Sequence, residues 1–133
     1  MTLQALLLCD SAIVDAATGK VSVNGIFDKI SSPQFPCAIA NCMLFFQLRT
    51  APMTKCDIAL QIVHANNARE NPLQLPTSVS DVNGLVQGIV QFNGFPMHEP
   101  GHYEVELSAN GTLQGSVKLL GEKLEETTRE QRH

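Results

Sequence analysis

The sequence predicts an all-β fold, an antiparallel, immunoglobulin-like β-sandwich of about seven or eight short strands. Three observations carry that reading. Apolar residues alternate with period two in most segments, and no long stretch with a 3.6-residue period competes. The seven prolines fall in the intervals between the apolar runs, where a missing N–H is tolerated. Near the C-terminus, Asn110-Gly111 joins two alternating segments, the strongest short hairpin signal a sequence offers. A chain of 133 residues has the length of one domain, with enough interior to hold a core without staples. Residues 1–120 are expected to form that domain, and residues 121–133 a charged tail.

Residues 3–9 are nearly continuously apolar, as in a strand buried on both sides. Lys20 to Ile30 sets Val21, Val23 and Phe27 on one face and Ser22, Asn24 and Asp28 on the other. Gly25 in its middle signals a bulge or a close approach of another group. Ile39 to Leu48 places Ala40, Cys42, Leu44, Phe46 and Leu48 on one face, and Cys56 to Ala65 turns Ile58, Leu60 and Ile62 inward. His64 continues that inward register and is expected to be buried with a partner at a sheet edge. Leu85 to Phe92 sets Val86, Val90 and Phe92 on one side, around a mid-strand Gly88.

His102 to Ser108 alternates most cleanly, with Tyr103, Val105 and Leu107 inward and His102, Glu104 and Glu106 outward. After the hairpin, Leu113, Val117 and Leu119 are expected inward. The immunoglobulin-like reading rests on Pro100-Gly101-His102-Tyr103, which places a tyrosine at the start of a late strand as in a tyrosine corner. Residues 121–133, GEKLEETTREQRH, offer only Leu124 as a large apolar residue, so a disordered end or a short helix is expected there.

Composition narrows the function classes. Hydrophobic residues make up 44% and charged residues 17%, as in an ordinary folded globule. A net charge of −4 and scattered basic residues disfavour nucleic acid and anionic membranes as partners. Leu6-Leu7-Leu8-Cys9 has the outline of a lipoprotein signal, but it lacks a basic leader and a long apolar run, and Leu8 stands where a small residue is required. No stretch approaches a membrane span, so the expected location is cytoplasmic. Cys9, Cys37, Cys42 and Cys56 then read as reduced thiols rather than a disulfide framework.

No pattern supports catalysis. His98, Glu99 and His102 in MHEPGH are the sharpest candidates for a metal site. Pro100-Gly101 argues against the helix that would bring both rings to one face, so neither a metal nor any other cofactor is expected. No nucleophile elbow surrounds any serine, and Cys9, Cys42 and Cys56 border apolar strands as packed thiols would. The glycines are isolated and cradle no phosphate. With one tyrosine and no tryptophan, an aromatic platform for sugars or bases is missing. Asp10, Ser11 and Asp28 remain as polar residues of a possible functional loop, to be tested by whether the segments Asp10 to Lys20, Phe35 to Pro36 and Phe95 to His102 converge.

Two groups of residues resemble an uncharacterised family of small bacterial proteins, a domain of unknown function. The first comprises Cys9-Asp10-Ser11, Asp15, Thr18-Gly19-Lys20, Gly25-Ile26-Phe27-Asp28-x-Ile30 and Phe35-Pro36. The second is Pro100-Gly101-x-Tyr103-x-Val105 followed by Asn110-Gly111. The resemblance runs over residues 3–119 and departs at Ala51-Pro52-Met53, where a glycine is expected. It implies a stand-alone β-sandwich and brings no activity or catalytic residue with it.

The expected function is that of a non-enzymatic module acting through protein contacts, by self-association or as an accessory subunit. The competing expectation is a small-molecule binder or enzyme with a loop-borne site at one end of the sandwich. A structural part of a larger assembly is a third.

Overall fold

The computed structural model describes residues 1–124. In chain order the strands are β1 (Thr2–Val14), β2 (Val21–Phe27), β3 (Lys29–Ser32), β4 (Cys37–Ile39), β5 (Cys42–Arg49), β6 (Lys55–Cys56) and β7 (Ile58–Val63). They continue with β8 (Leu73–Gln74), β9 (Ser78–Val79), β10 (Leu85–Phe92), β11 (Phe95–Met97), β12 (Gly101–Ala109) and β13 (Thr112–Lys123). The chain is all-β over the described residues. Seven strands, β1, β2, β5, β7, β10, β12 and β13, have six residues or more, and they coincide with the alternating segments of the sequence.

Two sheets face each other. The first has four strands in the order β10-β5-β1-β2, every pair antiparallel. The second has the order β3-β13-β12-β7-β8 and is antiparallel except for the parallel pair of β13 with β3. Two ribbons, β4 with β11 and β6 with β9, complete the sandwich. The core lies between the inner faces. Leu8, Leu44 and Leu48 from the first sheet meet Leu60, Tyr103, Val105 and Leu107 from the second, all essentially inaccessible to solvent. Each such aliphatic side chain contributes about 1.5–3 kcal/mol by burial, so this contact outweighs any ion pair on the surface.

Tyr103 is the largest fully buried side chain. Its hydroxyl donates to the Glu99 carbonyl at 2.6 Å and accepts the Glu99 N–H at 3.2 Å. This is the hydrogen bond of a tyrosine corner: the ring fills the core while the hydroxyl satisfies the backbone entering β12. The Asn110-Gly111 hairpin is also as expected, with φ of 52° and 81°, as a type I′ turn requires. Asn110 further pins the turn across the sheet, since its side-chain oxygen accepts the Asp57 N–H at 2.8 Å.

Several local expectations are corrected. Ala40 is exposed, because the run Ile39 to Leu48 breaks between β4 and β5 and it is Ile39 that enters the core. Leu113 is 55% exposed rather than inward. The ladder shifts register after Leu107, which faces Gly115, so Leu113 pairs with outward-facing Ser108. Gly115 is required there because Leu3 Cδ2 lies 2.5 Å from where a Cβ would stand. Pro96 sits at the centre of β11, tolerated because that strand belongs to a two-stranded ribbon. At the end of the domain, Gly121, Glu122 and Lys123 continue β13 beside β3, supported by a Lys29–Glu122 ion pair at 3.3 Å. The expected tail therefore cannot begin at residue 121, and its remainder from residue 125 lies outside the described residues.

The two-sided use of Tyr103 generates a test of the fold. Tyr103→Phe keeps the ring but strands the Glu99 N–H and carbonyl, so it should cost about 1–3 kcal/mol in denaturant unfolding. An unchanged midpoint would show that the corner bond contributes nothing.

Candidate functional site

Registers fix which residues of the four-stranded sheet point away from the core. Leu7, Phe45 and Ile89 lie side by side across β1, β5 and β10. The neighbouring row on one side is Ala5, Gln47 and Gln87, and on the other Ile26, Cys9, Met43 and Gln91. Beyond that row come Ser11 beside Asn24 and then Ile13 beside Ser22. No position in these rows carries a charge. Ile13 and Ile26 are 63% and 65% exposed, and β2 is the edge strand of its sheet among the described residues.

This departs from the usual antiparallel sheet, whose solvent face is polar. The second sheet follows the usual rule. Its outward positions include Glu104 opposite Lys118, and Glu106 bonded to Arg69. The four-stranded sheet instead has apolar residues on both faces and a core on only one. Phe45 and Cys9 are buried, yet neither belongs to the inter-sheet core cluster.

The polar groups of the outer face are amides. Gln47 Nε2 donates to Gln87 Oε1 at 3.1 Å, tying β5 to β10. Arg49 marks the end of the face beyond that pair, where its guanidinium donates to the Asn83 carbonyl at 2.9 Å. Beside it the Asp81 carboxyl is held below its ordinary range, chiefly by the Leu85 N–H, then by the Asn83 N–H, with Arg49 adding a smaller attraction.

The residues singled out as possible metal ligands do not come together. His98 stacks on His64, with ring centroids 5.2 Å apart. His102 lies on the outward face of β12 opposite Leu120, and the Glu99 backbone serves Tyr103. Among the described residues, no three His, Cys, Asp or Glu side chains gather in a way that could hold a metal ion. Asp10 and Ser11 are neighbours on β1 that point to opposite faces of the sheet, and Asp28 follows β2. Residue 25 has a φ of 68°, and Asp10 stands where its side chain would go, which explains Gly25 without a bulge. Ser11 belongs to the outer face, and the Asp28 carbonyl accepts the Leu120 N–H at 2.8 Å. The loop after β1 closes on itself, with Asp15 Oδ1 accepting the Ala17 N–H at 2.8 Å, while pairing of β4 with β11 unites the Phe35 to Pro36 and Phe95 to His102 segments.

His64 is buried as expected, but only half satisfied. Nε2 lies 2.6 Å from Glu70 Oε2, and since a carboxylate only accepts, Nε2 carries the hydrogen. Nδ1 is buried without a partner among the described residues. Two shallow clefts of about 150 and 210 Å³ open along the β10 side. The first, bounded by Leu60, Ile62 and Phe92, holds Glu70 as its one titratable group, and the second, bounded by Phe46, Leu75 and Val90, holds none. Neither offers the pair of groups that acid–base chemistry needs.

The thiols are equally unsuited to attack. All four cysteines are unpaired. Burial pushes Cys42 up to about 12, with Cys9 and Asp10 adding to the rise, and burial likewise raises Cys9 and Cys56. At about pH 8 a thiol reagent should therefore modify Cys37, which is part-exposed, and reach the other three only on unfolding. Because the folded values lie above the ordinary 9.0, the unfolded chain ionises first. The thiol contribution to stability is complete below 9.0 and lost as the pH rises towards about 12. Rapid native-state labelling of Cys42 would contradict this.

The fold is similar to part of a larger protein, the Pseudomonas fluorescens alkylpurine DNA glycosylase AlkC bound to DNA containing an abasic site analog. The superposition has a TM-score of 0.54 at 16% identity and covers 71% of this chain but 27% of that one. At that identity the likeness shows the fold alone. No curated protein matches the sequence. A family model matches residues 4–120, nearly the whole sandwich and both groups of residues that carried the resemblance. The chain therefore belongs to the Family of unknown function (DUF6941).

Proposed function

We propose that this chain is a non-enzymatic protein-interaction module whose contact surface is the outer face of the β10-β5-β1-β2 sheet. The observation that carries this reading is an uncharged, largely apolar outer face that no strand of the described residues covers, with Ile13 and Ile26 exposed on it, beside a second sheet whose outer face carries paired charges. Contiguous apolar surface rimmed by polar groups is the usual mark of a protein contact, and depletion of charge at the centre is its compositional signature. Amides at Gln47, Gln87 and Gln91 supply hydrogen-bonding groups that can be desolvated more cheaply than charges.

A nucleic-acid role like that of the DNA-bound neighbour finds no support in the charges. The chain is net −4, and among the described residues the cations of this face, Arg49 and Lys20, stand at its two ends. The reading also takes the protein as bacterial, on the family resemblance, and as cytoplasmic, on its four unpaired cysteines. No helix is long and apolar enough to cross a membrane.

A photo-crosslinking residue installed at Ile26 should trap protein in cells, whereas the same residue at Glu104 on the other sheet should not. Crosslinks from Glu104 alone would place the working surface elsewhere.

A further inference from the structure

We infer that the turns joining β5 to β6 and β9 to β10 form a rigid apolar knob, built around Met53 and Val82, that seats in a concave apolar socket with an acidic rim on a partner protein. This knob lies beyond Arg49 and Leu85, at one end of the sandwich, and does not depend on the sheet face proposed above.

Exposure is the first observation. Val82 and Met53 are 75% and 66% exposed, more than any other large apolar side chain of the described residues. Val79, at the end of β9, is 57% exposed, and Pro52 is exposed as well. A side chain left so open by a folded domain stands on a projecting point. Scattered singly, such residues need no explanation, but these fall on two turns that are bonded to each other.

Backbone strain is the second. Among the described residues, three that are not glycine have a left-handed φ: Asn67 at 68°, Asn110 at 52° and Met53 at 56°. Asparagine tolerates that region through its short polar side chain, and methionine has no such means. Met53 follows Pro52 in a turn where glycine or asparagine would hold the same backbone with less strain. Folding alone favours another residue there. What methionine adds is an exposed apolar side chain at a fixed place.

Preorganisation is the third. The Thr50 N–H donates to the Gly84 carbonyl at 2.8 Å, and the Ser80 N–H donates to the Thr54 carbonyl at 2.9 Å. Ser80 is 1% exposed and closes the gap between the turns. Its hydroxyl donates to the Ala51 carbonyl and accepts the Thr54 N–H, both at 2.7 Å. Turns fixed in this way lose little freedom on binding.

Shape and charge choose the partner. So few side chains cover too little area to hold a flat surface, and they are fully desolvated only inside a concavity. From residue 49 to 55 and from 79 to 85 the charged side chains are Arg49, Lys55 and Asp81. Asp81 Oδ1 accepts the Asn83 and Leu85 N–H groups at 2.8 and 2.9 Å, so that carboxylate serves its own turn. Lys55 makes no ion pair among the described residues and pairs with Val79 across the β6-β9 ribbon, on the same face. A cation at the edge of the knob is matched by carboxylates on the rim of the socket. A lipid surface fits less well, because Asp81 and Asn83 flank Val82 and no aromatic residue anchors either turn.

A photo-crosslinking residue at Val82, used in cells and followed by identification of the crosslinked peptide, tests the inference. One protein should be captured, through apolar residues that adjoin Asp or Glu. Met53→Gly should reduce that capture at least about fivefold while melting at or above the wild-type temperature. Lys55→Glu should also reduce it at least about fivefold. No capture above that from Glu104, or capture indifferent to Met53→Gly, would overturn the knob. A lower melting temperature for Met53→Gly would overturn it too, by showing that the methionine serves the fold. Capture that Lys55→Glu leaves unchanged would overturn the acidic rim. Wild-type protein that co-sediments with vesicles of phosphatidylcholine and phosphatidylglycerol would overturn the socket in favour of a lipid surface. Crosslinking from Ile26 reads the sheet face separately, so either surface can fail alone.

Discussion

Everything in this molecule is arranged around the contact between the inner faces of its two sheets. Leu8, Leu44 and Leu48 on one side and Tyr103, Val105 and Leu107 on the other exclude solvent completely. That requirement fixes the register of every long strand, since a one-residue slip would send a whole set of side chains outward. It also dictates the special positions. Gly115 yields to Leu3, and Gly88 yields to the Phe46 ring, whose Cε1 lies 2.8 Å from where a Cβ would stand. Tyr103 closes the core while tying down the backbone before β12.

The same constraint explains why the surface chemistry is lopsided. Once the inner faces are filled, nothing inside the domain calls for apolar residues on the outer face of either sheet. The second sheet carries glutamates, lysine and an Arg69–Glu106 pair there. The first carries Leu7, Ile13, Ile26, Met43, Phe45 and Ile89. Among the described residues, packing of the two sheets accounts for one face of that sheet and not for the other. The proposed contact between molecules would account for it.

Much of the fold was legible because period-two alternation reports directly on which side of a strand is wet. Val105 and Leu107 needed no more than that, and Asn110-Gly111 announced its turn by residue type. The misses have physical causes. Leu113 turned outward because a register shift moved the ladder by one residue, and no local residue type marks such a shift. Ala40 followed the parity of β5, but the chain breaks at Asn41 and restarts. Of the candidate site residues, His98 found His64, far away in the chain, through a tertiary stacking that spacing cannot reveal. Asp10 stands against Gly25, and the Asp28 carbonyl accepts a backbone N–H from β13, placements that no local pattern marks. The outer face was half visible. Leu6-Leu7-Leu8-Cys9 already read as a strand buried on both sides, while in Met43-Leu44-Phe45-Phe46 the clean inward parity of Leu44 and Phe46 drew attention away from Met43 and Phe45.

The central claim is that the outer face of the four-stranded sheet is covered when the protein works. Methyl resonances of Ile26 and Ile89, read against a soluble paramagnetic agent in the free protein and in the complex captured through Ile26, measure that covering directly. The account predicts that both are shielded in the complex while the outward side chains of β12 stay accessible. Methyls that remain fully accessible in the complex, with shielding on the Glu104 face instead, would contradict it.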